Sequence, residues 1–129
     1  MTLRALSASM ALLALLLSPA AAQNVGPAEV QKALGGKRVS LSCADGTTGS
    51  GRYVMGRSVG TISGTYQRPD AGPARDVGRV RAEGDQLCLQ FKMLNDGREA
   101  CFGVRQESET LFTFTRLGGL VSACQVAAL

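Results

Sequence analysis

Apolar and polar residues alternate with a period of two along most of the chain after residue 36. This alternation is typical of strands that bury one face and expose the other. Turn residues interrupt it about every 8 to 12 positions. The predicted strands span residues 37–43, 51–55, 60–66, 76–82, 86–92, 98–105, 110–116 and 121–126. The pattern predicts an all-β domain, folded as a small antiparallel barrel or sandwich.

A short helix is predicted ahead of the strands, from Pro27 to Leu34. Proline fits the first helical turn, Glu29 favours the helix N-terminus, and Gly35-Gly36 provides a stop. Glycines are dense between residues 46 and 64, where we expect tight turns or bulges.

The segment from residue 86 to 105 predicts a hairpin with a defined register. Its core-facing set is Leu87, Leu89, Phe91 and Met93 on one strand and Ala100, Phe102 and Val104 on the other. Cys88 and Cys101 then fall on the polar face. Placed opposite each other, they pair Gln90 with Glu99 and Lys92 with Gly97, and leave residues 93–96 as the loop.

A tight Asp96-Gly97 turn is the alternative for this hairpin, because Asp-Gly favours two-residue turns. It would place Cys88 opposite Arg105, four positions from Cys101. That separation is roughly 13 Å along the strand, beyond the reach of a disulfide. We therefore favour the Cys88–Cys101 bridge with the wider loop.

The other two cysteines, Cys43 and Cys124, would then pair by elimination and connect the first predicted strand to the last. Four cysteines allow three pairings, and spacing alone does not choose among them. A zinc site of four thiolates is the competing interpretation, but no pair has the usual C-x₂₋₄-C spacing. Disulfides are favoured, so the domain is predicted to be disulfide-stapled.

Residues 1–22 have the features of a bacterial export signal. Arg4 is followed by the apolar run 11–17, and the small residues Ala20, Ala21 and Ala22 suit cleavage before Gln23. We expect a single domain over 23–129, exported to the periplasm or beyond the cell, with no transmembrane anchor after cleavage.

The sequence offers little for catalysis. It contains no histidine, so the usual Ser-His and Cys-His pairs are excluded. Its carboxylates fall mostly in predicted turns or on outward strand faces, where we expect them to be solvated. Residues 34–38 and 45–49 match neither a phosphate-binding nor a calcium-binding loop. We therefore predict no catalytic, cofactor or metal site, and no enzyme.

Charge is unevenly distributed. Residues 37–81 carry eight basic and three acidic side chains, whereas 82–129 carry four basic and six acidic ones. Arg75, Arg79 and Arg81 would share one face of a strand. Such a basic strip suits an acidic protein or an anionic envelope component. Export and a net charge of only +4 argue against nucleic acid.

Two resemblances add to this interpretation. The helix, Leu34-Gly35-Gly36-Lys37 and the hairpin Leu87–Cys101 resemble small exported bacterial domains of unknown function, a resemblance that implies no activity. Cys43-Ala44-Asp45-Gly46 and the late Cys124 resemble the ends of periplasmic inhibitors of C-type lysozyme, which are stapled β-barrels. Ser50-Gly51-Arg52-Tyr53 resembles their Ser-Gly-x-x-Tyr inhibitory loop, one residue shorter.

The sequence thus predicts an exported, non-enzymatic β-domain that binds a protein or an envelope surface. Its candidate contacts are Ser50, Arg52, Tyr53, Arg75, Arg79 and Arg81. Inhibition of lysozyme or another hydrolase is one alternative. A carrier of a small ligand is another, although we expect 107 residues to leave little room for a roomy cavity.

Overall fold

The computed structural model describes residues 22–56, 59–117 and 123–129. One α-helix, nine strands and a short 3-10 turn at Leu94–Gly97 cover most of this part of the chain. The helix and strands are β1 Gln23–Val25, α1 Pro27–Leu34, β2 Arg38–Cys43, β3 Thr48–Met55, β4 Val59–Gln67, β5 Ala74–Glu83, β6 Gln86–Phe91, β7 Glu99–Gln106, β8 Leu111–Arg116 and β9 Ala123–Ala128.

Strands β2 to β9 form a closed, eight-stranded antiparallel barrel. Each strand pairs with its neighbour in sequence, and β9 pairs with β2 to complete the ring. The short β1 pairs with the last residues of β7, which extend past the beginning of β6, and Gln23 lies opposite Gln106. Because α1 leads directly into β2, it lies at the end where β2 begins. The β2–β3, β4–β5 and β6–β7 loops lie at the opposite end.

The predicted elements are present, and the barrel form of the all-β prediction is confirmed. The helix has the predicted bounds, and a strand lies at each predicted segment. β3 and β5 begin earlier than predicted, at Thr48 and Ala74, and β1 was not predicted. Residues 121 and 122 of the last predicted strand lie outside the described residues, as does the predicted export signal apart from Ala22.

Side chains fill the helix end of the barrel. Val30 and Leu34 of α1 are completely or almost completely buried, as are Val80, Leu87 and Phe112. The backbone N–H of Gly36 donates to the carbonyl oxygen of Tyr53 at 2.7 Å and joins the end of the helix to β3. Each such buried side chain contributes roughly 1.5 to 3 kcal/mol to folding. This end of the barrel is therefore the hydrophobic core.

Both predicted disulfides are present. Cys43 lies opposite Cys124 across the β2–β9 seam, and Cys88 lies opposite Cys101 in the β6–β7 hairpin. Gln90 lies opposite Glu99, which confirms the predicted register. Two disulfides in so small a domain indicate an oxidising, exported environment.

The hairpin loop differs from its prediction. The β6–β7 ladder ends at the pair Gln90–Glu99, so Lys92 and Gly97 belong to the loop and do not pair. Met93 is 57% exposed instead of facing the core. The cause is Asp76 on β5, whose carboxylate accepts the backbone N–H groups of Lys92 and Met93 and so draws the chain out of the ladder.

Cys88 lies on the outer face, as predicted, yet its exposed fraction is 0%. Arg81, opposite Cys88 on β5, forms salt bridges with Glu83 at 2.7 Å and Glu99 at 2.6 Å. Glu83 also lies 3.7 Å from the Cys88 sulfur. The hydrogen bonds from Arg81 hold the pKa of Glu99 below its usual value. A network of charged side chains therefore lies beside the disulfide.

Candidate functional site

The two sides of the barrel interior differ in the size of their inward side chains. On β6 to β9 the inward positions are mostly large and apolar, and include Leu87, Leu89, Phe91, Phe102, Phe114 and Val126. On β3, β4 and β5 they include Gly49, Gly51, Gly64 and Gly78. Since glycine adds no side chain, the wall formed by β3 to β5 leaves an open space. The large side chains of β6 to β9 do not fill it.

Two of these glycines allow strands β3 and β4 to approach closely. Gly51 lies directly opposite Gly64. A Cβ at Gly64 would collide with the carbonyl oxygen of Ser50, and one at Gly51 with that of Ser63. The register runs without a skip from Thr48 to Met55, so the prediction of turns or bulges was wrong here. The glycines lie inside strands, where they permit tight curvature.

The space forms a cavity of about 710 Å³ that runs from the core to the loop end of the barrel. Five of the apolar side chains that face it are only half-buried, namely Leu41, Ile62, Phe91, Ala100 and Phe102. Their strand alternation directs them inward, so apolar surface is left exposed inside the barrel. The expectation of little internal room, drawn from chain length, was therefore wrong.

The floor of the cavity is apolar and uncharged. It is formed by Leu34 of α1 with Tyr53 and Leu87, each of which is at least nine-tenths buried. Burial raises the pKa of Tyr53 to about 12, so its hydroxyl stays neutral at physiological pH. The floor therefore suits an apolar group.

Asp76 organises one side of the cavity mouth. It is only 6% exposed, and its carboxylate accepts N–H groups from Lys92 at 3.1 Å, Met93 at 3.2 Å and Leu94 at 2.9 Å. The next residues, Asn95 and Asp96, have left-handed backbone with φ of 57° and 54°. A buried carboxylate with several N–H donors is a stable anchor. The expectation that the carboxylates are solvated was wrong for Asp76, because its strand position faces inward.

Several charged side chains surround the mouth. Arg68 stacks over the ring of Tyr66 at 5.9 Å. Asp45 accepts the backbone N–H of Thr47 at 2.9 Å, a hydrogen bond that lowers its pKa. Arg98 forms a salt bridge with the exposed Asp96 at 3.1 Å. A fourth side chain, the half-buried Arg116 of β8, lines the cavity itself.

The structure does not bring the predicted contact residues together in one site. Ser50 and Arg52 occupy outward positions on β3, whereas Tyr53 points inward and is 4% exposed. Tyr53 is therefore inaccessible to a protein that docks from outside. The segment that resembles an inhibitory loop is part of a strand.

Arg75, Arg79 and Arg81 do share the outer face of β5, as predicted. Arg75 and Arg79 are exposed, while Arg81 is held in its network of salt bridges. Arg38 and Arg52 lie opposite each other on the adjoining β2 and β3. The basic strip thus includes side chains of β2, β3 and β5, while β4 between them contributes no basic residue.

A cluster with metal-ligating atoms occurs at Glu83, Cys88 and Cys101, within 4.8 Å of one another. Both sulfurs form the Cys88–Cys101 disulfide. Since a disulfide offers no thiolate, two of the three groups are poor ligands.

Two charged residues of the cavity, Asp76 and Arg116, were not predicted from the sequence. Asp76 lies four residues before Val80 on β5, so side-chain alternation along the strand places both on the inward face. Arg116 follows Phe112 and Phe114 at two-residue spacing on β8, which again predicts an inward position. Asp76 was instead grouped with the carboxylates expected to be solvated, and no position was predicted for Arg116.

The geometry defines a small disulfide-stapled β-barrel with an internal cavity. Neither a protein-family model nor a curated protein matches the chain. Among solved structures, the redesigned β-barrel mFAP1, bound to DFHBI, has a TM-score of 0.53 and 20% identity, covering 77% of this chain and 98% of its own. A fluorescence-activating β-barrel designed de novo has a TM-score of 0.54 and 14% identity, covering 78% and 98%. At these identities the similarity shows a shared fold and nothing more.

Among the described residues, no helix has the length and apolar character needed to cross a membrane.

Proposed function

We propose that this protein is an exported, non-enzymatic binding protein that holds a small, largely apolar ligand inside its barrel. The observation that carries the proposal is the set of inward apolar side chains that remain half-buried around a cavity of about 710 Å³. Exposed apolar surface in an enclosed space is stabilised by a ligand that covers it.

The size and lining of the cavity support this function. Ligand pockets are typically about 300 to 1,000 Å³ and mostly apolar, with a few polar groups that fix orientation. Eight-stranded barrels are wide enough for one small ligand. The binding of DFHBI by mFAP1 is consistent with ligand binding by barrels of this architecture.

Binding without turnover is favoured by the polar groups of the cavity. The chain has no histidine. The carboxylate of Asp76 already accepts four backbone N–H groups, including that of Val77 at 2.8 Å. A carboxylate with its acceptor positions occupied is poorly suited to act as a general base.

A cavity-filling variant tests the proposal with the apolar fluorescent probe N-phenyl-1-naphthylamine. Ala100 lines the cavity opposite Leu89 on β6, so Ala100→Phe adds a ring inside the barrel. We expect the wild type to bind one probe molecule and Ala100→Phe to bind it at least about tenfold more weakly, a loss of roughly 1.4 kcal/mol. Fluorescence titration measures both affinities.

Val77→Phe is the matched control, because Val77 is 47% exposed on the outer face of β5. It should leave the probe affinity unchanged. Thermal unfolding of both variants shows that they are folded. Equal affinities for wild type and Ala100→Phe, or a loss confined to Val77→Phe, would contradict binding in the cavity.

The basic strip supports a second proposed function, the binding of an anionic envelope component or an acidic protein. On the described outward positions of β2 to β5, Arg38, Arg52, Arg75 and Arg79 are accompanied by a single carboxylate, Glu83. A surface of one charge attracts the opposite charge in a salt-dependent way. The periplasm or the cell exterior is the proposed location for both functions.

Vesicle cosedimentation tests this second proposal. We expect binding to phosphatidylglycerol vesicles at low salt, several-fold weaker binding by the double variant Arg75→Gln, Arg79→Gln, and no binding to phosphatidylcholine vesicles. Arg105→Gln on β7 is the control, since Arg105 lies outside the strip and pairs with Glu107. Binding that does not weaken at higher salt, or that the double substitution does not weaken, would contradict this second function.

A further inference from the structure

We propose that the ligand is an amphiphile with a single carboxylate, which Arg116 binds at the cavity mouth while the apolar tail extends towards α1. This inference rests on the proposed binding function and names the ligand class. Its central observation is an arginine that lines an apolar cavity and is not paired with a carboxylate among the described residues.

Arg116 is placed in the cavity by the alternation of β8. Phe112 and Phe114 have the same parity and are buried, so Arg116, two positions on, also faces inward. It lies opposite Phe102 of β7, lines the cavity and is half-buried. The side chain of Arg116 is therefore partly removed from water.

The described acidic side chains near the mouth are engaged elsewhere or exposed. Asp76 accepts four backbone N–H groups, and Asp45 accepts the N–H of Thr47. Asp70 is exposed. The salt bridges of the described residues involve Arg81, Arg98 and Arg105, not Arg116.

A partly buried charge is costly unless an opposite charge or strong hydrogen bonds compensate it. A ligand carboxylate would compensate Arg116, because guanidinium and carboxylate match in a bidentate geometry. The other two cavity-lining arginines are already engaged, Arg68 with the ring of Tyr66 and Arg98 with Asp96. Arg68 and Arg98 are also exposed, so Arg116 is the half-buried arginine of the lining and the one that a head group inside the cavity would meet.

The polarity of the cavity gives the ligand a direction. Below Arg116 the lining becomes apolar, through Phe114 and Phe102 to the floor at Leu34 and Leu87. The neutral Tyr53 of the floor adds no charge. An anionic group therefore fits at the mouth and an alkyl or aromatic tail fits below it.

Competition with N-phenyl-1-naphthylamine tests the head group, using dodecanoate, dodecanol and dodecylamine. We expect the wild type to bind dodecanoate at least about tenfold more tightly than dodecanol, and dodecylamine most weakly. In Arg116→Met the affinity for dodecanoate should fall about tenfold, while the affinities for dodecanol and the probe stay within about threefold of wild type.

Arg116→Lys keeps the charge but loses the bidentate geometry, so we expect an intermediate affinity for dodecanoate. Arg105→Met, on the outer face of β7 and outside the basic strip, should bind all three compounds as the wild type does. If Arg116→Met does not fold, Arg116→Lys and the head-group series in the wild type still decide the question. An excess of inorganic phosphate should not displace dodecanoate, since the tail supplies much of the binding.

The outcomes separate this inference from the function on which it rests. If the probe and dodecanol bind but dodecanoate gains nothing over dodecanol, or loses nothing in Arg116→Met, the carboxylate assignment is overturned while the binding function stands. Displacement by phosphate alone would also overturn it, because it would show an anion site without a tail. If neither the probe nor any of the three compounds binds, the proposed function itself is wrong.

Discussion

Oxidation of the Cys43–Cys124 pair is expected to raise the free energy of unfolding by about 4.5 kcal/mol, against about 3 kcal/mol for Cys88–Cys101. A disulfide stabilises mainly by restricting the unfolded chain, and more so for a longer loop. The sequence separations are 81 and 13 residues. Cys43–Cys124 also crosses the seam between β2 and β9 where the barrel closes.

Two variants that each retain one disulfide measure these contributions. Cys88→Ala with Cys101→Ala leaves the seam disulfide, and Cys43→Ala with Cys124→Ala leaves the hairpin disulfide. Denaturant unfolding of each variant is measured in the oxidised and the reduced form. The difference is the free energy of unfolding that the retained disulfide adds, since the sequence is the same in both forms. A larger stabilisation from the hairpin disulfide would contradict the dependence on loop length.

Asp76→Ala is expected to lower the free energy of unfolding by about 3 to 5 kcal/mol. The substitution leaves the N–H groups of Met93 and Leu94 without their acceptor, whereas the N–H of Lys92 keeps the carbonyl oxygen of Val77 at 3.2 Å. Partly buried donors that lose their acceptor are costly. The loss should be smaller for Asp76→Asn, which keeps one acceptor oxygen. Denaturant unfolding measures the change, and faster amide exchange at residues 92–94 would locate it.

Asp70→Ala is the matched control, because Asp70 also lines the cavity but is exposed. We expect a change within about 0.5 kcal/mol for this variant. If Asp76→Ala were as mild as Asp70→Ala, the carboxylate would not anchor the loop. The left-handed backbone of Asn95 and Asp96 would then need another support.

The strands could be predicted because the barrel buries one face of each strand, and this requirement imposes the period-two pattern. The pattern places Cys88 and Cys101 on the same face, and the reach of a disulfide then selected the register that sets them opposite each other. Cys43–Cys124 followed by elimination. The helix bounds followed from local signals, Pro27 at the start and Gly35-Gly36 at the end. The three-residue β1 was too short for a pattern to develop.

The cavity could not be predicted in the same way, because it depends on which inward positions face each other across the barrel. Gly51 and Gly64 gave the signal of a turn, yet they lie opposite each other inside strands. Asp76 and Arg116 are charged, and charged side chains are usually exposed, yet both face the interior. In each case the tertiary position of the residue outweighed its usual preference.

The central claim is that a ligand binds inside the barrel, and its most direct test is a set of intermolecular NOEs between bound dodecanoate and the protein's methyl groups. We predict NOEs from the alkyl chain to Leu41, Ile62, Leu89 and Ala100, which line the cavity. Val54, Val59 and Val77 are exposed outside it and should show none. NOEs confined to these three outer valines would contradict the claim, because the ligand would then lie on the surface of the barrel.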